Sequence, residues 1–416
     1  MKSKNILIAL IAVVVIAVFG YIIMRPKLAQ KNYNQGVVLL DSLKYKDAFE
    51  KFDKAVKMNP NIADYYYYRA LSLAGMDKNQ EAIEDYSKAI AIDSSRFDFF
   101  LYRGVASRKT NQPNLALADL NKAIALNDSS SKAYYERGLL NAAMMNFDES
   151  IKDYNRSIEL DGTNLEAFYS RGESFANLSD FKGAIADYDK MIEGSNAIAD
   201  AYKKRGIFKL KIQDYDGAVK DLLIATEKDQ TDKEVLYNLG DAYSNIKDYS
   251  NSIKYIDKAL AIDPKYDIAY GVKGGALLRK GDFRAAMQSF DKAIALKPDY
   301  LRAIYGRGIC KAFLKDYKGS IADFTKVIAL DKNYTQAYYN RAVSKAILEN
   351  HKEALPDYDV AISADPKNPE AYYNRGISRI NVQDTKGGCE DFNKALELGY
   401  KPAEQMINIY CPKTNN

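Results

Sequence analysis

The chain is poor in the residues that do chemistry. Its 416 residues hold one histidine, His351, three cysteines and no tryptophan. Cys310, Cys389 and Cys411 are scattered, so they offer no zinc-ligand spacing. No Walker loop, G-x-S-x-G elbow or H-E-x-x-H helix occurs. Carboxylates are abundant, but none stands out as a catalytic pair. These absences speak against an enzyme, and neither cofactor nor metal is expected. An excess of one charge is missing too. The net charge is +5, but Lys2, Lys4, Arg25 and Lys27 supply four basic residues in the first 28, where there is no acid. Without them 56 basic residues face 55 acidic ones, which gives no support for nucleic-acid binding. With 47% hydrophobic and 28% charged residues, the chain reads as folded rather than disordered.

What the chain has is a period. Gly36, Gly104, Gly138, Gly172, Gly206, Gly240, Gly274, Gly308 and Gly376 fall on one 34-residue grid, and Ala70 and Ala342 occupy its two remaining points. Eleven tandem copies without insertion or deletion span residues 29–402. They are 29–62, 63–96, 97–130, 131–164, 165–198, 199–232, 233–266, 267–300, 301–334, 335–368 and 369–402. Self-similarity on this scale decides architecture before any local signal does.

The eighth copy shows what one repeat encodes. Tyr270, Gly274 and Leu277 at repeat positions 4, 8 and 11 put one helical face inward. Lys280-Gly281-Asp282 breaks the helix. Ala286, Phe290 and Ala293 at positions 20, 24 and 27 mark a second helix, and Pro298 closes the unit at position 32. Small residues at 8, 20 and 27 let two helix axes approach, with aromatics at 4 and 24 beside them. The closing proline recurs only at Pro60, Pro264 and Pro366, so the other inter-repeat turns are expected to be less rigid.

This pattern resembles the tetratricopeptide repeat, over about nine tenths of the chain. The resemblance implies an all-α, right-handed α-solenoid of helix–turn–helix repeats whose work is protein binding. Departures are local. Asn32, Leu236 and Ile304 replace the position-4 aromatic, and Ser150, Ser252, Ser320 and Gly388 replace Ala at position 20.

Two positions vary together. Position 7 is Arg and position 23 is Asp in the same eight repeats: Arg69 with Asp85, Arg103 with Asp119, Arg137 with Asp153, and Arg171 with Asp187. Arg205 with Asp221, Arg307 with Asp323, Arg341 with Asp357 and Arg375 with Asp391 complete the set. The other repeats lose both members, with Gln35 and Lys51, Leu239 and Tyr255, and Lys273 and Ser289. A salt bridge between the two helices of each hairpin is expected, and repeats seven and eight are expected to pack differently.

The ends differ from the array. Ile6 to Met24 is an uncharged apolar run of 19 residues, long enough to cross a bilayer as a helix. With Lys2 and Lys4 ahead of it, residues 1–28 look like a bacterial signal anchor holding the repeats in the periplasm. A cleaved signal peptide with a cut at Tyr21, after Val18 and Gly20, is the rival. Residues 403–416 supply a capping helix, Ala403 to Cys411, and a tail. Cys389 and Cys411, with Glu397-Leu398-Gly399 between them, resemble the C-terminal end of tetratricopeptide proteins of the Bacteroidetes type. In an oxidising compartment the two would form a disulfide; alternatively each is a small buried residue. Cys310 is expected in the core.

In the resembling family, positions 2, 5, 9, 12 and 13 line a concave groove. Carried over, position 5 supplies Tyr33, Tyr67, Tyr135, Tyr169, Tyr237, Tyr305, Tyr339 and Tyr373. Position 2 supplies Asp64, Asp98, Glu166, Asp200, Glu234 and Glu370. Position 9 is mostly aliphatic, as in Val105 and Ile309. A tyrosine ladder with an acidic rim suits an extended peptide of apolar and basic character. The Lys-and-Asn clamp that chaperone-tail binders use is absent, since Lys203 is followed by Ile207. The expectation is a membrane-held scaffold or adaptor for other proteins. A cytosol-facing import or assembly receptor and a self-associating envelope protein are the alternatives.

Overall fold

The computed structural model describes the backbone of residues 2–195 and 199–411; of these, the side chains of residues 2–9, 14–17 and 19–22 are not described. Among the described residues every element is a helix. The chain divides into two compact units, Met1–Ala201 and Tyr202–Asn416.

The first unit opens with α1 (Lys2–Asp41), a single helix of 40 residues. No break separates residues 2–28 from the first repeat helix. The apolar run Ile6–Met24 falls mostly on side chains outside the described set. Among the described residues no helix is long and apolar enough to cross a membrane. Then come α2 (Tyr45–Met58), α3 (Ala63–Gly75), α4 (Asn79–Ile92), α5 (Phe97–Lys109) and α6 (Pro113–Leu126). The unit continues with α7 (Ser131–Ala143), α8 (Phe147–Leu160), α9 (Leu165–Asn177) and α10 (Phe181–Gly194).

The division falls within α11 (Ala199–Lys211). The second unit goes on with α12 (Tyr215–Lys228), α13 (Lys233–Asn245), α14 (Tyr249–Ile262), α15 (Asp267–Arg279) and α16 (Phe283–Leu296). After these come α17 (Leu301–Phe313), α18 (Tyr317–Leu330), α19 (Thr335–Ile347), α20 (His351–Ala364), α21 (Pro369–Asn381) and α22 (Thr385–Glu397). The last helix is α23 (Pro402–Tyr410).

Each odd-numbered helix pairs with the even one after it, and the hairpin core lies between them. On the even helices, positions 20, 24 and 27 are buried, as in Ala48, Phe52 and Ala55 or Ala286, Phe290 and Ala293. The grid glycines exist for this packing. A Cβ on Gly138 would sit 2.6 Å from the ring of Tyr154, at position 24 of the same repeat.

The turns inside the hairpins share one conformation. Position 15 is left-handed in all eleven, yet only Gly281 is a glycine there; Leu43, Asp77 and Met145 hold φ near +60°. The next residue often caps the even helix: Asp180, Asp214, Asp248, Asp282, Asp316 and Asp384 each accept from the backbone N–H three residues on. The turns between repeats do not depend on the closing proline. In eight of the eleven repeats position 31 is an Asp or Asn whose carboxyl or amide oxygen accepts from the N–H two residues later, as at Asp93, Asp161, Asp229 and Asp331. The expected slackness of proline-free turns is thus offset by a local side-chain bond.

Candidate functional site

Within each unit successive odd-numbered helices touch, as α3 with α5 and α17 with α19, while even ones stay further apart. The odd helices therefore lie on the inner side, and their outward positions form its floor. Val37, Leu71, Val105 and Leu139 in the first unit, and Ile309, Val343 and Ile377 in the second, are half-buried there. Two acids interrupt the aliphatic row at position 9. Glu173 accepts from the Tyr188 hydroxyl at 2.5 Å. Burial raises the carboxyl pKa of Asp241, against the pull of Arg302 and Lys211.

The position-5 tyrosines are as much scaffold as surface. Tyr33, Tyr67, Tyr135, Tyr169, Tyr305, Tyr339 and Tyr373 each set their ring 5.6 to 6.2 Å from the position-24 aromatic of their own repeat. Tyr237 instead packs on Tyr266 at 5.2 Å. The hydroxyls of Tyr305 and Tyr339 accept from Asn340 and Asn374 of the following repeat. Burial pushes the Tyr305 phenol up to about 12 and raises those of Tyr67 and Tyr339. In repeat eight the ladder has a gap: Gly271 stands at position 5, where a Cβ would meet the Tyr300 ring 2.8 Å away, and Gly275 at position 9, where a Cβ would meet open space.

The acidic rim is thinner than expected. Arg96 binds Asp64 at 3.1 Å and Asp98 at 2.6 Å. Lys203, whose pKa is raised by its acidic partners, holds Asp232 at 2.8 Å and Glu234 at 2.6 Å. Glu166, Asp200 and Glu370 are exposed. Half of the position-2 acids are thus already neutralised within the chain.

The Arg and Asp of positions 7 and 23 meet in all eight repeats. Nε and Nη2 engage the two carboxylate oxygens, at 2.8 and 2.6 Å for Arg307 with Asp323 and at 2.6 and 2.8 Å for Arg69 with Asp85. The same bidentate contact joins Arg103 to Asp119, Arg137 to Asp153, Arg171 to Asp187, Arg205 to Asp221, Arg341 to Asp357 and Arg375 to Asp391. Burial nevertheless raises the pKa of Asp187, although Arg171 opposes it.

The pair is part of a larger node. Nη1 of each of seven of these arginines reaches back to position 25 of the preceding repeat: Asp53, Ser87, Asn121, Asn155, Asp291, Thr325 and Asp359. One guanidinium thereby ties two helices of its own hairpin to the hairpin before. A position-4 ring often lies under it, as Tyr66 under Arg69 at 5.5 Å. Position 25 was the missed part, and its signal was readable. It is polar in every repeat except at Leu223, which precedes the arginine-free Leu239. There the node becomes apolar, and Tyr243 stacks on Tyr255 at 5.6 Å with planes 4° apart. In repeat eight Lys273 keeps only the backward contact, to Asp257 at 2.6 Å. In repeat one Lys51 donates to Gln35.

At the C-terminal end Cys389 and Cys411 form a disulfide with Cα atoms 5.6 Å apart. It ties α23 over Phe392 and Ala395, where Ala403 is fully buried. Cys310 is buried in the core, which pushes its thiol up to about 11. Among the described residues no cluster of His, Cys, Asp and Glu has the geometry to hold a metal.

Two cavities among the described residues lie on the inner side. One, of about 470 Å³, lies in the first unit among α1, α3, α5 and α7. A second, of about 300 Å³, lies in the second unit between Tyr305, Gln336, Tyr339 and Asn368. Both sit beside position-5 or position-9 side chains, so the floor is pitted rather than smooth.

Family models described as tetratricopeptide repeat match residues 131–164, 233–266, 268–300 and 335–368, and a further one matches 33–97. No curated protein matches the chain. Among solved structures, YrrB, a TPR protein with an unusual peptide-binding site, is 21% identical over 45% of this chain and 97% of its own, with a TM-score of 0.43. A tetratricopeptide repeat protein from Parabacteroides merdae is 17% identical over 60% and 99%, with a TM-score of 0.45. Yeast Tom70 is 15% identical over 92% and 95%, with a TM-score of 0.39. Likeness at this level carries no argument about what the chain binds. Over the matched stretches the chain carries tetratricopeptide repeats, and the paired-helix packing seen there recurs in the other repeats.

Proposed function

We propose that the chain is a non-catalytic scaffold that holds extended segments of partner proteins along the inner side of its repeats, held at a membrane by residues 6–24. The observation that carries the reading is the row of half-buried aliphatic side chains at position 9, interrupted by cavities large enough for single side chains. The half-neutralised acidic rim shifts the expected partner from basic towards apolar. The anchor is supported by Leu10, Ile11, Val13, Val18, Ile23 and Met24, all exposed although apolar, with no repeat packed over them. Arg25 donates to the Lys57 carbonyl at 2.7 Å, so the anchor helix runs into the array braced rather than as a loose tether. The disulfide favours an oxidising compartment, the periplasm of a bacterial cell, over a cytosol-facing receptor.

Photo-crosslinking in cells tests this. Benzoylphenylalanine in place of Val105 or Ile309 should give adducts with other proteins, while the same residue in place of the exposed Lys122 should not. Equal adducts at all three positions, or none at any, overturn the reading. Adducts only with a second copy of the chain replace it by the self-associating envelope protein. A phosphatase reporter fused after Asn416 should be active in the membrane fraction. An intact but inactive fusion reverses the assigned side.

A further inference from the structure

Two residues that line the first-unit cavity each carry a polar atom that nothing among the described residues satisfies. Tyr86 is fully buried and Asn79 is 7% exposed, and both line the cavity. The Tyr86 hydroxyl and the Asn79 Oδ1 have no hydrogen-bond partner. The Asn79 amide is oriented by its other end, since Nδ2 donates to Asp77 Oδ1 at 2.8 Å. Its free end is therefore an acceptor. Buried groups of this kind are normally paired, so each orphan calls for an explanation.

Asn79 is also out of place. Position 17 carries a ring in Tyr45, Phe147, Phe181, Tyr215, Tyr249, Phe283 and Tyr317. Here the smaller amide stands in place of a ring, and its acceptor is unpaired. The walls are apolar, with Leu71 and Val105 among them. The mouth is cationic. Lys109 is exposed, with no ion-pair partner among the described residues, and Lys132 meets Tyr102, with the hydroxyl at 3.1 Å and the ring centroid at 4.4 Å. The one acid there, Glu136, is engaged by Arg108 at 2.7 Å.

We infer that this cavity is a specificity pocket for a tyrosine side chain of a partner segment flanked by acidic residues. A phenol hydroxyl has both a donor for Asn79 Oδ1 and an acceptor for the Tyr86 hydroxyl, while its ring meets the apolar walls. Phenylalanine leaves both atoms unpaired. An indole N–H only donates, which leaves the Tyr86 proton without an acceptor. A serine hydroxyl leaves the apolar volume empty. The lysines at the mouth select the acidic flanks. This pocket rests on the reading of the inner side as a peptide surface and names what one part of it takes.

The test uses the full chain in detergent micelles and three dye-labelled pentapeptides, Glu-Ala-Tyr-Ala-Glu, Glu-Ala-Phe-Ala-Glu and Lys-Ala-Tyr-Ala-Lys, followed by anisotropy. The first should bind, and the phenylalanine peptide should bind about tenfold more weakly, as expected for losing a buried hydrogen-bonded pair. Asn79→Phe installs the ring that other repeats carry, so it should keep the helical circular dichroism and melting temperature while abolishing binding. Tyr86→Phe should erase the tyrosine-over-phenylalanine preference. Lys109→Glu with Lys132→Glu should reverse the preference between acidic and basic flanks. Equal affinity for the tyrosine and phenylalanine peptides, unchanged binding by Asn79→Phe, or no binding of any of the three overturns the pocket and leaves water as its occupant. If crosslinking at Val105 and Ile309 still captures partners, the pocket alone has failed and the scaffold reading stands.

Discussion

Replacing Asp323 by Asn should loosen one hairpin severely, because of what the carboxylate holds. Asp323 takes two bonds from Arg307 and a third contact from Lys311 at 2.9 Å. Its own side chain is 6% exposed, and those of Arg307 and Lys311 are each 20% exposed. The amide keeps one acceptor but turns an N–H towards the guanidinium, leaving Lys311 without a counter-charge and Arg307 with only the half-exposed Asp291. Breaking such a pair costs about 3–5 kcal/mol, and the residual exposure of both cations places this one near 3 kcal/mol. Replacing the whole node should cost far less. Repeat seven already shows the apolar solution, with Leu223, Leu239, Tyr243 and Tyr255 at the corresponding positions. The combination Asp291→Leu, Arg307→Leu, Lys311→Tyr and Asp323→Tyr should therefore recover stability to within about 1 kcal/mol of the parent. Repeat arrays open locally, so a single global unfolding curve is the wrong measure. Native-state hydrogen exchange of the amides in residues 301–334 is the right one. About 3 kcal/mol corresponds to exchange faster by roughly two orders of magnitude. A change under about fivefold for Asp323→Asn would assign the pair the small value of an exposed bridge. A quadruple variant as unstable as the single one would refute the claim that the cost is uncompensated charge.

Met145→Gly should stabilise α7 and α8 by up to about 1 kcal/mol, since Met145 holds φ at +61° with its side chain 78% exposed; the readout is the denaturation midpoint, and a drop counts against strain at this turn. The carboxyls of Asp161 and Asp229 are held below the usual range by the hydroxyl and N–H of Thr163 and Thr231. Because their folded pKa values are depressed, the stability they add is full above about pH 4 and is lost as pH falls through the folded values. Thr163→Ala and Thr231→Ala should move both carboxyls back towards the ordinary value in an NMR titration, and unmoved values would remove the hydroxyls as the cause. Reduction, or Cys411→Ser, should release α23 and raise exchange in residues 385–410 while leaving residues 63–160 unchanged. By loop-closure entropy the cross-link is worth about 3 kcal/mol, and spread of the loss into the first unit would show that the cap supports more than the last hairpin.

The Arg–Asp partners were legible because both members lie within one hairpin at a constant separation of 16 residues. Their loss in the same three repeats then reports a direct contact. The backward contact to position 25 spans the same separation and left its own trace in Leu223 and Leu239, but that trace shows only when repeats are compared out of phase. The position-5 tyrosines were harder. A helical face tells that a ring is amphipathic, and only the neighbouring position-24 ring decides that Tyr67 turns inward while the phenol of Tyr305 stays linked to Asn340. The acidic rim was overread for a similar reason, since Arg96 ends the second repeat and gave no local sign that it would fold back onto Asp64.

By itself the sequence determined the period, the paired helices, the small residues where they touch and the ion pairs inside each hairpin. All of these depend on spacing along one short stretch of chain, which a 3.6-residue turn converts directly into geometry. Only the tertiary structure decided which acids stay exposed, that Cys389 and Cys411 come within bonding reach, and that Asn79 and Tyr86 line one cavity. Those outcomes depend on how far one hairpin stands from the next, a distance set by packing volume rather than by residue count.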